Sequence, residues 1–475
     1  MTQASSDTPN TSGPSRPFSA RAEVEARMDR LPMTSKHRRI AAVVAAGTFF
    51  DAFDALILGI ALTVIARSLG QGFVGTGVLI SAGYLGQAIG ALAIGAVSDR
   101  LGRRRTFLLA ITFFSSLSVA CALAWNLESL TIARLLQGLG LGAEVPIAAT
   151  LISEYAPALK RGRAVMVYQS IFAWGVFAAP VVGLIVFSLI DPNIGWRVLF
   201  ALGVLPAFLV LFGRRAIPES VRWLTSKGRV EEATTIVAAF EDVARREGKD
   251  LSIPRPVEAD VARPTRLAEI FSPAYRTRTL LNGTLWFTVY FVSYGYTVWL
   301  PSLYVTIGGL KVSQALYLTL AVAIGQLIVV YAFAFTVDRI GRKPLFVAGY
   351  LVAIFGAVLG IIMVLAGATS WPTLFVAGLF LAIGTYVPAA GLYLYIPELY
   401  PTRIRGWGTA AGSSMNRIAS VIAPTAVGAL LANGFGLRSV FAMFGIVLVV
   451  GLAAMLVWGV ETKGRSLEET SELVG

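Results

Sequence analysis

Charge is scarce in this chain. Asp, Glu, Lys and Arg make up 14% of its 475 residues, against about a quarter in a soluble domain, and that shortage argues against an ordinary water-soluble fold. Cysteine and histidine are nearly absent. The single cysteine, Cys121, lies inside an apolar run, so no disulfide forms within the chain. The single histidine, His37, lies in a polar N-terminal arm; this excludes a metal site built from histidines and makes a histidine proton relay improbable. No metal and no cofactor are expected. There is no nucleophile–base constellation and no glycine-rich nucleotide loop, so the chain reads as no enzyme and as unable to use ATP directly. No segment looks like a nucleic-acid module, although the formal net charge is +13. No cleavable leader is evident, and residues 1–39, polar and rich in Ser, Pro and Arg, read as a disordered arm.

What is abundant is apolar sequence. Runs long enough to cross about 30 Å of hydrocarbon recur at about 40–66, 74–98, 106–126, 128–153, 164–189 and 196–216, then at about 279–306, 312–337, 344–367, 372–397, 406–432 and 437–459. Each must be a helix, because only internal hydrogen bonds satisfy the backbone in lipid. The expected fold is an all-α membrane protein of twelve spans in two six-helix bundles, 40–216 and 279–459. Lys and Arg set the orientation. Of the 40, 34 fall in segments on the N-terminal side of the membrane, while Arg67, Arg197, Lys311 and Arg438 lie opposite and Arg134 and Arg417 within spans. Both termini are therefore expected in the cytoplasm. The interval 217–278 reads as a cytoplasmic helical linker with a helix over Val230 to Glu247, and residues 460–475 as a cytoplasmic tail.

The chain also resembles itself at a spacing near 240. Asp99-Arg-Leu-Gly-Arg-Arg-Arg105 matches Asp338-Arg-Ile-Gly-Arg-Lys-Pro344. Glu154-Tyr-Ala-Pro157 matches Glu398-Leu-Tyr-Pro401, and Gly195-Trp-Arg197 matches Gly436-Leu-Arg438. On these loops the chain resembles the major facilitator superfamily. The closer resemblance is to its metabolite:proton symporter and sugar-porter-like branches. It rests on Pro218-Glu-Ser-Val-Arg-Trp-Leu224, Pro397-Glu-Leu-Tyr-Pro-Thr402, the glycines that follow Arg134 (Gly138, Gly140, Gly142), and Glu461-Thr-Lys-Gly464. Asp51-Ala-Phe-Asp54 is similar to an element of proton-coupled carriers of aromatic acids, and Gly142-Ala-Glu-Val-Pro146 to one of niacin and metabolite carriers. The amide cluster that sugar porters carry in span 7 is missing from Asn282 to Tyr290.

Asp51 and Asp54 stand near the midplane of span 1 on one helix face. Two carboxylates there resist being ionised together, so they are candidates for proton coupling; alternatively they cap an irregular helix or pair permanently with arginine. Glu144, in span 4, is a third candidate, or else helix glue. Buried arginine keeps its charge and needs a partner, so Arg417 and Arg134 are candidates for binding a substrate carboxylate, or for structural pairs. Gln169, Trp174, Tyr290, Tyr294, Tyr386 and Tyr393 complete the candidate substrate site. Asp99, Arg103, Glu154, Arg161, Asp338, Arg342, Glu398 and Arg405 are expected to pair across the inner mouth when the carrier faces outward, a gating role without substrate contact. The resemblance implies secondary active transport by alternating access, as proton-coupled uptake of a small organic metabolite, best an aromatic or other organic carboxylate such as niacin or benzoate. A proton-linked sugar or polyol porter and a drug efflux antiporter are the alternatives. The expected partners are the solute, protons and the lipid bilayer of a cytoplasmic membrane, with no nucleic acid and with the monomer as the working unit.

Overall fold

The computed structural model describes residues 19–463 apart from 71, 156–160, 252, 254–266 and 402–403. The N-terminal half runs α1 (Ala20–Asp29), α2 (Ser35–Ser68), α3 (Phe73–Leu101), α4 (Arg103–Ala122), α5 (Leu127–Tyr155), α6 (Arg161–Leu189), α7 (Pro192–Ala201) and α8 (Leu205–Ala216). Two short helices follow, α9 (Val221–Ser226) and α10 (Val230–Arg246). The C-terminal half runs α11 (Arg276–Thr297), α12 (Leu300–Thr306), α13 (Val312–Ile340), α14 (Arg342–Leu365), α15 (Trp371–Glu398), α16 (Arg405–Ala432) and α17 (Gly436–Trp458). Ten of these are long and apolar enough to cross a membrane. The other two expected spans are broken helices. The sixth is α7 and α8 joined by a 3-10 turn at Leu202–Val204, and the seventh is α11, rich in hydroxyls, continued by α12. This is the twelve-span fold expected from hydropathy.

Within each half, helices approach closely through glycine, as membrane packing allows. A Cβ on Gly138 or Gly142 would collide with the α3 backbone at Gly83 and Gln87, and one on Gly140 with Phe114 of α4. Gly142→Val is therefore expected to keep α3 and α5 apart, at a cost of about 1–3 kcal/mol or more, and to lower the yield of monodisperse protein on gel filtration; wild-type yield would contradict this.

The internal repeat extends to single hydrogen bonds. Gly102 and Gly341 have φ of 95° and 107°, a backbone that side chains rarely adopt, and each begins a helix whose first N–H groups need acceptors. Glu219 supplies one to Arg104 N–H at 3.0 Å. Glu461 does the same for Arg342 N–H at 3.0 Å and Lys343 N–H at 2.9 Å. Tyr155 donates to Pro218 O at 2.7 Å, and Tyr395 to Val460 O at 2.8 Å. The Pro218-Glu-Ser and Glu461-Thr-Lys segments are thus equivalent clamps on equivalent loops, a role their sequence did not declare. The helix ends gathered here form what we call the basic face.

The arm is a correction. Its described part is folded: Val24 and Met28 of α1 are buried in one cluster with Val237 and Phe240 of α10. Arg27 and Arg30 reach Glu241 at 2.8 and 2.6 Å, and Arg222 reaches Asp29 at 3.1 Å. The polar composition that suggested disorder is half of a complementary surface whose other half is α10. Residues 1–18 lie outside the described ones. Removing the shared acceptor by Glu241→Ala is expected to cost about 1.5–3 kcal/mol and to expose Arg27 to trypsin; unchanged cleavage would contradict the docking.

Candidate functional site

The two halves meet along three seams, α3 with α16, α6 with α13, and α12 with the end of α2. Described hydrogen bonds cross them from Thr63 to Ser302, Ser81 to Thr425, Arg417 to Gln87 and Trp174 to Tyr331. None of these reaches the last two helical turns at the basic face.

Between the seams is a cavity of about 130 Å³. Five tyrosines line it: Tyr84 from α3, Tyr290 and Tyr294 from α11, and Tyr386 and Tyr393 from α15. The one-turn spacing of Trp286, Tyr290 and Tyr294 stacks their rings down α11, with centroids 5.3 and 5.7 Å apart. Tyr84 meets Tyr294 across the halves at 4.7 Å. Polar groups on the wall are Ser170, Ser293, Thr297 and Gln326, whose amide donates to Tyr296 Oη at 3.3 Å.

The charged residues sit behind this wall. Asp54 and Arg134 form a buried pair at 2.7 Å with both side chains 5% exposed. Gln137, one turn along α5, accepts from Arg134 Nη1 at 2.8 Å and donates to Asp54 Oδ1 at 3.0 Å and to Ser118 Oγ at 2.7 Å. In this conformation Arg134 serves Asp54 and does not face the cavity. Asp51 is buried next to the cavity-lining Ala52, and Arg417, Asp54 and Arg134 are the charges acting on it. Arg417 donates to Gln87 of the opposite half, and its buried Nε has no partner among the described residues. Glu144 is 2% exposed and neither of its oxygens has a hydrogen-bond partner among the described residues. It packs into the space that Gly47 leaves open on α2, beside Phe107.

One candidate is placed elsewhere. Trp174 is 42% exposed, edge-on to Phe177 and bonded to Tyr331 at 3.0 Å, off the cavity wall. The side chains of Gln169 and Arg161 lie outside the described ones. The gate charges pair within their own halves in this conformation. Arg103 pairs with Asp99 at 2.7 Å and lies 4.0 Å from Glu154; Arg342 pairs with Asp338 and Glu398, each at 3.0 Å. All of these partners are in the same half: each arginine starts a helix, with Asp99 or Asp338 at the end of the preceding helix and Glu154 or Glu398 at the end of the following one. Arg405 Nε donates to Tyr400 O at 3.4 Å, again within its half. Tyr84, Gln87, Gln137, Ser293 and Gln326 were not foreseen. The three glutamines carry the same signal as Gln169, an amide within an apolar span, and could have been found by it.

The model of the sugar (and other) transporter family matches residues 41–474. The niacin transporter NiaP of Acinetobacter baylyi is 32% identical over 94% of this chain and 99% of its own. A gallate transporter of Pseudomonas putida is 32% identical over 93% of this chain and 96% of its own. Among solved structures, the inward-open xylose transporter XylE from E. coli superposes with a TM-score of 0.72 at 20% identity, over 92% of this chain and all of that one, which speaks to the fold alone. With twelve spans, a repeated half and a family match over nearly its whole length, the chain belongs to the sugar (and other) transporter family of the major facilitator superfamily and is a multi-pass membrane transporter of small molecules.

Proposed function

We propose that this transporter takes up a small aromatic carboxylate together with a proton, with both termini and the basic face in the cytoplasm. The observation that carries the reading is the tyrosine-lined cavity with Arg417 behind it. Its volume of about 130 Å³, beside the ~300–1,000 Å³ of sites for drug-sized ligands, suits a single ring. Stacked tyrosines offer that ring flat apolar faces with hydroxyl edges. The carboxylate would turn toward Arg417, whose unpartnered Nε leaves part of the guanidinium fork free. Tyr294 lines the cavity and is within electrostatic reach of Arg417. That the relatives' names include niacin and gallate supports this choice of class.

The proton would ride on an acid near this site. Asp54 is held by Arg134 and Gln137, while Arg417 acts on both Asp51 and Glu144. Glu144 has no hydrogen-bond partner among the described residues, and a bare carboxylate buried so costs far more than the neutral acid. It is the acid best placed to take up a proton with the solute and release it when the bundles rock. Asp54 and Arg134 would then hold α2 to α5 during the movement.

One observation favours the sugar porter: Gln326, four hydroxyl-bearing tyrosines on the C-terminal half and two serines give the cavity a hydrogen-bonding edge. Competition in proteoliposomes separates the readings. Labelled benzoate uptake should be displaced by unlabelled nicotinate and untouched by xylose in excess; displacement by xylose alone would reverse the assignment.

A further inference from the structure

A second cavity lies on the outer flank of the C-terminal half, an open groove of about 510 Å³ between α11, α16 and α17. Its α11 wall is Leu280, Gly283 and Phe287, spaced i, i+3, i+7 on one helix face. Met415 of α16 and Ile446 of α17 close the other sides. Two of the three threonine hydroxyls on the wall are already committed: Thr279 Oγ1 donates to Ile270 O at 2.6 Å, and Thr288 Oγ1 to Thr284 O at 2.8 Å. Leu280 is 58% and Ile446 66% exposed, and in a membrane-spanning chain that exposure is to lipid. The groove suits an apolar chain.

Its mouth is different. Arg276 is exposed and stands one turn before Leu280 on the same face of α11, at the basic face. Trp407 stands one turn before Ala411, which lines the α16 wall. A cation and an indole where an apolar wall ends are the groups that a phospholipid headgroup meets at an interface. From Thr279 to Thr288 the wall runs roughly 14 Å, at ~1.5 Å per residue, about one leaflet of a ~30 Å hydrocarbon layer.

We infer that this groove holds one acyl chain of an anionic phospholipid from the leaflet at the basic face, with its phosphate at Arg276. Gly283 keeps the slot open. A Cβ there would meet only Met415 Cγ, at 3.4 Å, so a larger side chain fills the groove without entering the core.

Native mass spectrometry of the full chain, titrated with phosphatidylglycerol or with phosphatidylethanolamine of the same acyl chains, tests this. The wild type should retain one phosphatidylglycerol with about fivefold preference, the share one basic residue contributes. Gly283→Leu should lose the bound lipid, and Arg276→Gln should bind both lipids alike. If Gly283→Leu is not monodisperse, Ala411→Leu fills the groove from the α16 wall instead. Retention of phosphatidylglycerol at unchanged affinity by a folded groove-filling variant, or equal binding of the two lipids by the wild type, overturns the assignment.

Discussion

Glu144→Gln is expected to abolish accumulation of the carboxylate against its gradient while sparing exchange of labelled for unlabelled solute. The amide keeps the shape and neutrality of the protonated acid, and the site beside Gly47 and Phe107 accepts it with little movement. A carrier fixed in that form can turn over loaded but has no proton to release, so the internal level should fall to the external one. Asp54→Asn should behave differently. It leaves Arg134 buried beside a neutral partner, and breaking such a pair costs about 3–5 kcal/mol, so its melting temperature should fall along with its activity. If both variants accumulate solute as the wild type does, the coupling site is not in this cluster.

Arg417→Ala should raise KM for benzoate with a smaller change in the amount of folded protein. A hydrogen bond to a charged group contributes about 1.5–3 kcal/mol, which corresponds to roughly ten- to 150-fold in affinity. Arg417→Lys should recover little of this, because an ammonium lacks the planar fork that matches a carboxylate. Arg417 also joins the halves through Gln87, so Gln87→Ala serves as the control: it removes the crossing bond and leaves the guanidinium. A KM shift in Gln87→Ala as large as in Arg417→Ala would assign Arg417 to the seam and not to the solute.

The spans and their pairing into halves were legible because hydropathy and the repeat at a spacing near 240 are one-dimensional signals. Tyr290 and Tyr294 could be placed together because one helical turn separates them. Tyr84 could not, since its meeting with Tyr294 depends on how α3 crosses α11 in the other half. The same limit hid the choice of Asp54 by Arg134, two residues 80 positions apart, when Asp51 and Glu144 were equally available in sequence. The folded arm was missed because α1 gains its order from α10, more than 200 residues away; local composition cannot report a partner at that distance.

The most direct measurement is the external pH of a lightly buffered suspension of proteoliposomes when nicotinate or benzoate is added without a preset proton gradient. Solute-dependent alkalinisation, absent in empty liposomes and lost in Glu144→Gln, is the expected result. Solute entering with no movement of protons, or protons moving with xylose and not with the aromatic acid, would contradict it.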